Sequence, residues 1–350
     1  RDMRYSLRPS SREMPCDLCG HRDFVLVSDR DRRRNRLNTA VCRSCGLVTH
    51  AELPTNDELE EYYQRQYRQD YHGEYLPSPH RVVRAWARGR FLLDLLTPFV
   101  NRTDRIVEVG CGMGCTVKNF ECAGYDASGL EPGEGFRQFA ARSLGATVEA
   151  GTLSTIPAKP NYDVVLLVHV LEHLRSPSQA LSHIRSVLRE GGRLFVDVPN
   201  AGAPHAAPGK MFHYAHIYNF TKDTLGALAR KAHFRVERWL STPDDKNLRA
   251  VFACDSKSSW QVDPESYSRT IHSVTRFNTI SYHLRWSYLS ERMRSFTNHR
   301  RDHVLAKKRM GRILEFCRSH PRRETTRLAV LPESRPVEEV GVTEQRRASA

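Results

Sequence analysis

Val107-Glu108-Val109-Gly110-Cys111-Gly112-Met113-Gly114 decides how the rest of this chain is read. An apolar run carries an acid, and three glycines follow at alternate positions. Glycine has no side chain in the way and tolerates positive φ, so a strand entering such a loop lets the backbone approach a ligand closely. The helix after it would offer its N-terminal NH groups to the same place. The spacing is G-x-G-x-G, which differs from the G-x-G-x-x-G dinucleotide fingerprint. Taken alone, the loop also suits an ordinary strand-to-helix turn.

The surroundings sharpen the reading. Tyr125 to Leu130 is a second strand-like run, and Glu131 stands at its tip, where an acid can accept both hydroxyls of a ribose. Asn161-Tyr162-Asp163 leads into Val164-Val165-Leu166-Leu167-Val168, an unbroken apolar run of the kind buried on both faces of a sheet. His169-Val170-Leu171-Glu172-His173-Leu174 follows at its carboxyl end. Leu188-Arg189-Glu190-Gly191-Gly192-Arg193 reads as a helix end, a glycine stop and a turn before the strand Leu194 to Val198.

The spacing predicts strands at Arg105–Val109, Ala127–Glu131, Thr147–Ala150, Asp163–Val168, Arg193–Val198, Arg235–Leu240 and Leu248–Ala253. Helices are expected at Val82–Leu96, Thr116–Ala123, Gly135–Leu144, Pro177–Leu188 and Lys222–Lys231. Strands alternating with helices mean an α/β fold, a doubly wound and mostly parallel sheet.

These pieces, in this order, resemble the class I S-adenosylmethionine-dependent methyltransferases. The resemblance rests on Glu108 to Gly114, Glu131, Tyr162 to Val165, His169 to His173 and Glu190 to Leu194, and spans about residues 80 to 254. It implies a Rossmann-like seven-stranded sheet with an antiparallel edge, and S-adenosylmethionine as cofactor. The implied cofactor contacts are Gly110, Gly112 and Gly114 to the methionine part and ribose, Glu108 toward its amino group, Glu131 to the ribose, Thr152 and Leu153 to adenine, and His169 beside the sulfonium.

The N-terminal part carries its own signal. Cys16-x-x-Cys19-Gly20 and Cys42-x-x-Cys45-Gly46 are two knuckles, with Phe24 to Val27 and Asn38 to Val41 as short strands between them. Four thiolates suit tetrahedral zinc and leave no open position for chemistry, so the zinc is expected to be structural. The chain has nine cysteines, an odd number, and its arginine-rich N-terminus lacks the apolar stretch of a secretory signal. Metal binding is therefore favoured over disulfides, and a cytoplasmic location is expected. No apolar run approaches a membrane span.

The expected organisation is a zinc ribbon over 1–52, a helical linker or lid over 53–100 with Tyr62, Tyr63, Tyr67, Tyr71 and Tyr75, the α/β core over 101–256, a helical extension over 257–318, and a disordered tail over 319–350. The extension, with Ile280, Leu284, Tyr288, Leu289 and Met293 at helical spacings, would act as a cap or a homodimerisation arm. Asn56 is the expected helix cap of the linker.

His213-Tyr214-Ala215-His216-Ile217-Tyr218 follows the fifth strand, where loops line the site in this fold. A sugar hydroxyl needs a base, and histidine suits that near neutral pH. The ribbon, the tyrosine-rich linker and this loop resemble zinc-ribbon methyltransferases of antibiotic deoxysugar pathways. That resemblance implies His216 as the base, with His213 standing where the subset carries tyrosine. Glu172 and His173 are second-choice site residues that would otherwise begin a helix. The expected activity is methyl transfer to a small-molecule or glycan hydroxyl, within polysaccharide biosynthesis.

Two other readings stand beside it. The formal net charge of +14, mostly arginine over Arg30 to Arg36, Arg81 to Arg90 and Arg292 to Arg323, allows an RNA methyltransferase that grips phosphates. It also allows no more than a solvated basic surface. Pro199-Asn200-Ala201 is not the N/D-P-P-Y/F tetrad used on flipped-base amines. The last reading is a binding protein that has lost catalysis, against which the intact glycine loop argues.

Overall fold

The computed structural model describes residues 8–11, 14–55, 58–59, 76–203, 206, 210–277, 279–285 and 305–321. The tyrosine series of the linker, most of the tail and residues 286–304 lie outside the described residues. At the linker's start Thr55 and Glu58 form the cap: Thr55 N–H donates to Glu58 Oε2 at 2.7 Å and Glu58 N–H to Thr55 Oγ1 at 3.2 Å. Asn56, the expected cap, lies outside the described residues.

The main sheet has seven strands. They are β5 (Arg105–Val109), β6 (Asp126–Leu130), β7 (Val148–Glu149), β8 (Tyr162–Val168), β9 (Leu188–Pro199), β11 (Phe234–Trp239) and β12 (Asn247–Cys254). Their spatial order is β11-β12-β9-β8-β5-β6-β7. From β9 to β7 neighbours run parallel, and β12 and β11 close one edge antiparallel. Strand order reverses between β5 and β8, and in open α/β sheets ligands bind at that switch, outside the carboxyl ends.

The continuous apolar runs have a physical cause. Val165 and Leu167 of β8 join one core cluster, while Val164 and Leu166 join the cluster on the opposite face. Each face is covered, so alternation of side chains produces no polar face. The first cluster packs under α4 (Pro177–Val187) and α5 (Lys222–Lys231), and the second under α1 (Pro79–Leu96) and α2 (Cys115–Cys122). A short helix, α3 (Glu134–Phe139), follows β6.

The expected stop at Gly191-Gly192 is different in the structure. Helix α4 ends at Val187, and β9 already pairs at Leu188 with Tyr162 before pairing Arg193 with Val164. Four residues of β9 face one of β8, and Gly191 takes φ +74° within that excursion. The glycines make a bulge inside a strand, where positive φ is as useful as in a turn.

The ribbon strands are β1 (Arg8–Ser11), β2 (Asp23–Arg30), β3 (Arg36–Cys42) and β4 (Val48–His50). A two-residue strand from the loop after β9, β10 (Tyr218–Asn219), completes the sheet in the order β1-β2-β3-β4-β10. The ribbon and the α/β core also share one buried cluster, in which Phe24, Ala40 and Leu47 join Tyr218 and Phe220. Asp17 fixes the joint further. It accepts Ser178 N–H at 2.7 Å at the start of α4, while Lys231 Nζ donates to the Asp17 and Leu18 carbonyls.

Past β12 the chain forms α6 (Ser266–Thr275), α7 (Thr279–His283) and a helical stretch over 305–319. Helix α6 docks on the ribbon: Ser266 Oγ donates to the Cys45 carbonyl at 2.8 Å. The 305–319 stretch packs its buried Cys317 into the second cluster, and Trp86 of α1 meets Phe316 edge to face at 6.0 Å. Ile280 and Leu284 are exposed. No helix among the described residues is long and apolar enough to cross a membrane.

Candidate active site

The glycine loop leaves β5 with φ of +69° at Gly110, +57° at Gly112 and +68° at Gly114. A Cβ on Gly110 would lie 2.7 Å from Val170 Cγ2, whereas one on Gly112 would meet nothing within 4 Å. Gly110 is therefore needed for packing as well as for its backbone angle, and Gly112 borders open space. The Glu131 carboxylate closes the loop: Oε2 accepts Gly112 N–H at 2.9 Å and Oε1 accepts Gly133 N–H at 2.7 Å. These two bonds fix the carboxylate at the tip of β6.

Glu108 is buried at 4 % exposure, and its Oε2 has no hydrogen-bond partner among the described residues. Burial pushes its carboxyl up to about 8, and a hydrogen bond with Thr116 and the Arg88 charge offset part of the effect. Thr152 and Leu153 follow β7 in a 3₁₀ turn (Leu153–Thr155) capped by Thr152 and Thr155. Gly151, just before them, approaches Leu130 of β6, so the turn lies near the tip carrying Glu131.

His169 stands at the carboxyl end of β8 with φ +55°. A histidine in the left-handed region carries strain of about 1 kcal/mol, held here by surrounding contacts. Its N–H donates to the Asp197 carbonyl at 2.8 Å. Asn247 Nδ2 donates to Asp197 Oδ1 at 2.7 Å and to His169 Nε2 at 3.1 Å. The proton of His169 is thereby placed on Nδ1, which donates to Glu172 Oε1 at 3.2 Å.

Glu172 is the hub of the site. It is fully buried in a 3₁₀ turn (Leu171–His173), and its Oε1 lies 3.9 Å from both His173 Nε2 and His216 Nε2. Burial alone would raise its carboxyl, but His173 and His169 outweigh it and hold it below the usual range. His173 Nδ1 donates to the Ala215 carbonyl at 2.6 Å. Burial, and then the neighbouring His173 and His213, push His216 well below the ordinary imidazole range. His213 packs on it with ring centroids 3.6 Å apart.

The structure thus brings His213 and His216 together with His169, and adds Glu172 and His173 at the centre. Sequence reasoning had no sign of Asn247. Asp197 left a trace, as the one acid inside the apolar run Leu194 to Val198.

The four cysteines converge, with Cys16 and Cys45 sulfurs 3.6 Å apart and Cys19 and Cys42 sulfurs 3.5 Å apart. Bonds of about 2.3 Å to a tetrahedral zinc would separate sulfurs by about 3.8 Å, so this cluster needs little adjustment to hold one. Thiol–thiol hydrogen bonds split the set. Cys19 and Cys42, each with Cys16 as largest partner, fall below the ordinary thiol range, and Cys16 and Cys45 rise above it.

Residues 79–238 match a family model described as a methyltransferase domain, over the same stretch that builds the glycine loop and the histidine cluster. Residues 79–238 thus carry a methyltransferase domain. Curated relatives of the methyltransferase domain include a ubiquinone biosynthesis O-methyltransferase of Aeromonas salmonicida. It is 27 % identical over 103 residues, covering 27 % of this chain and 43 % of that protein. A tRNA U34 carboxymethyltransferase of Methylococcus capsulatus is 27 % identical over 223 residues, covering 58 % of this chain and 66 % of that protein. The chain thus spans between 43 % and 66 % of these two relatives. Among solved structures, a Burkholderia thailandensis 1,6-didemethyltoxoflavin-N1-methyltransferase aligns with TM-score 0.45 and 17 % identity, covering 60 % of this chain and 96 % of that one. The magnesium protoporphyrin IX methyltransferase of Synechocystis aligns with TM-score 0.43 and 17 % identity, covering 57 % of this chain and 100 % of that one.

Proposed function

We propose that this chain transfers a methyl group from S-adenosylmethionine to a hydroxyl of a small-molecule or glycan acceptor. The observation that carries the reading is the buried histidine cluster around Glu172, set at the carboxyl end of β8 beside the glycine loop. The donor's features find matching partners. Glu108 supplies a buried, unpartnered carboxyl oxygen for its amino group. Gly112 borders open space, and the Glu131 carboxylate, anchored by the Gly112 and Gly133 N–H groups, stands at the strand tip where a ribose would lie. Bound there, the donor supplies a methyl activated on a sulfonium, and the chain supplies geometry and exclusion of water.

His169 would stand beside the methyl, its orientation fixed by Asn247 and Glu172. The acceptor's proton would pass to the His213 and His216 pair. A neutral His216 has a lone pair to offer, and the buried carboxylate nearby stabilises positive charge developing on either ring. Cys16, Cys19, Cys42 and Cys45 would hold a structural zinc that fixes the ribbon.

RNA is the second acceptor class, supported by the tRNA-modifying relative and the net charge of +14. Transfer of tritiated methyl from the donor to nucleotide sugars, bacterial polysaccharide and total RNA decides between them. Label in sugar or glycan supports the first reading, label in RNA supports the second, and label in none removes both.

A further inference from the structure

We propose that Glu172, His173 and His216 form a second metal site, for a divalent transition-metal ion, distinct from the four-cysteine cluster. The inference deepens the methyl-transfer reading and rests on that reading for its chemistry, though not for the binding itself.

The donor set is right for such an ion. One carboxylate and two imidazoles present one ligand atom each, all within 4.8 Å of one another. Imidazole and carboxylate together suit zinc, iron, cobalt or manganese. The separations of 3.9 Å from Glu172 Oε1 to each Nε2 are too long for hydrogen bonds. Bonds of about 2.1 Å in a tetrahedron would bring such atoms to about 3.4 Å. His216, the more exposed of the two rings, can supply most of that movement.

A second observation points the same way. Glu172 has no exposed surface, yet its Oε2 has no hydrogen-bond partner among the described residues. Buried carboxylate oxygens are normally satisfied, and a cation would satisfy this one.

The partners behind the ligands are also those of a metal site. His173 donates its Nδ1 proton to the Ala215 carbonyl at 2.6 Å, while its Nε2 lies 3.9 Å from Glu172 Oε1. Ligating histidines characteristically anchor their other nitrogen this way. His169 anchors Glu172 by its own Nδ1–H, and is in turn held by Asn247. Hydrogen bonding of a purely structural histidine pair would have placed an imidazole N–H on the carboxylate at normal distance. Here neither His173 nor His216 does so.

Three protein ligands leave a position open. A hydroxyl oxygen bound there would release its proton near neutral pH. The O–H bond breaks and its proton passes to His213 and on to water. The oxygen's electron pair forms the O–C bond to the methyl as the C–S bond breaks, and that pair stays on sulfur. The products are a methyl ether, a neutral thioether and one proton. In this arrangement His216 is a ligand and His213 is the proton acceptor.

The test is a cobalt(II) titration of the metal-free full chain followed by absorption, with metal content measured after dialysis. Two equivalents are expected: one with thiolate-to-cobalt charge transfer, one with weak visible bands only. Glu172→Gln and His216→Ala should each weaken the second by about 100-fold or more, since even partners behind a ligand change affinity 10- to 100-fold. Both variants should keep the charge-transfer band, which reports an intact ribbon and fold. Cys42→Ser should do the converse. One equivalent in the unaltered chain, or a second one indifferent to Glu172→Gln and His216→Ala, overturns the site. Methyl transfer that persists with cobalt or zinc in the cysteine cluster alone removes the metal's role and leaves the function standing. Two equivalents with no methyl transfer to any acceptor keep the metal site and remove the function.

Discussion

Replacing Glu108 by glutamine should change how donor binding depends on pH. The carboxyl is pushed up to about 8 by burial, so the free chain at neutral pH is mostly protonated there. If the carboxylate form grips the donor's ammonium, binding must release that proton. An ordinary α-amino group loses its own proton near pH 8. Affinity then follows the product of the two charged fractions. Between pH 6 and 7 the carboxylate fraction rises about ninefold while the ammonium fraction barely falls, so affinity rises about eightfold, or about 1.2 kcal/mol. The rise should level off near pH 8 and reverse above it. The sign follows from the raised pKa: the proton is present in the free state and absent in the bound one, so higher pH favours binding until the ammonium is lost. Glu108→Gln should bind more weakly at pH 7 and be nearly flat from pH 6 to 7. Isothermal calorimetry in two buffers of different ionisation enthalpy measures both the affinity and the proton released. An eightfold slope shared by the glutamine variant, or no proton release in the unaltered chain, refutes the assignment of Glu108.

Gly110→Ala should destabilise the fold by about 2–4 kcal/mol, because the new methyl meets Val170 at 2.7 Å and φ is positive; urea unfolding measures it. His216→Ala should abolish methyl transfer while donor affinity, read by calorimetry, stays within about twofold; full turnover would remove His216 from any role in the reaction. Cys42→Ser should lose the ribbon metal and speed hydrogen exchange at Tyr218 and Asn219, because β10 pairs with β4 of the same sheet.

The central strands β5 and β8 were legible because both their faces are buried, and such runs stand out against polar loops. β5 agrees with its expected bounds at both ends, Arg105 and Val109. Boundaries slipped where backbone geometry overrode residue type, as at Gly191, whose positive φ serves a bulge inside β9. The glycine loop and the two cysteine pairs were legible because each is local in sequence. The histidine site was only half legible. His169-Val170-Leu171-Glu172-His173 could equally begin a helix, and what makes Glu172 the hub is the left-handed turn at His169 and the arrival of His216 from a distant loop. Asn247 left no trace, since one asparagine at a strand start resembles any other. The joint between ribbon and core was hidden for the same reason: β10 is two residues long and carries no periodicity.

That two-residue strand has a consequence for how the polypeptide matures. Ribosomes deliver the amino-terminal cysteines long before Tyr218, so β4 emerges with one flank of its backbone unpaired. An uncovered flank of this kind invites pairing with another nascent copy. Only when translation has passed Asn219 can that flank be sealed.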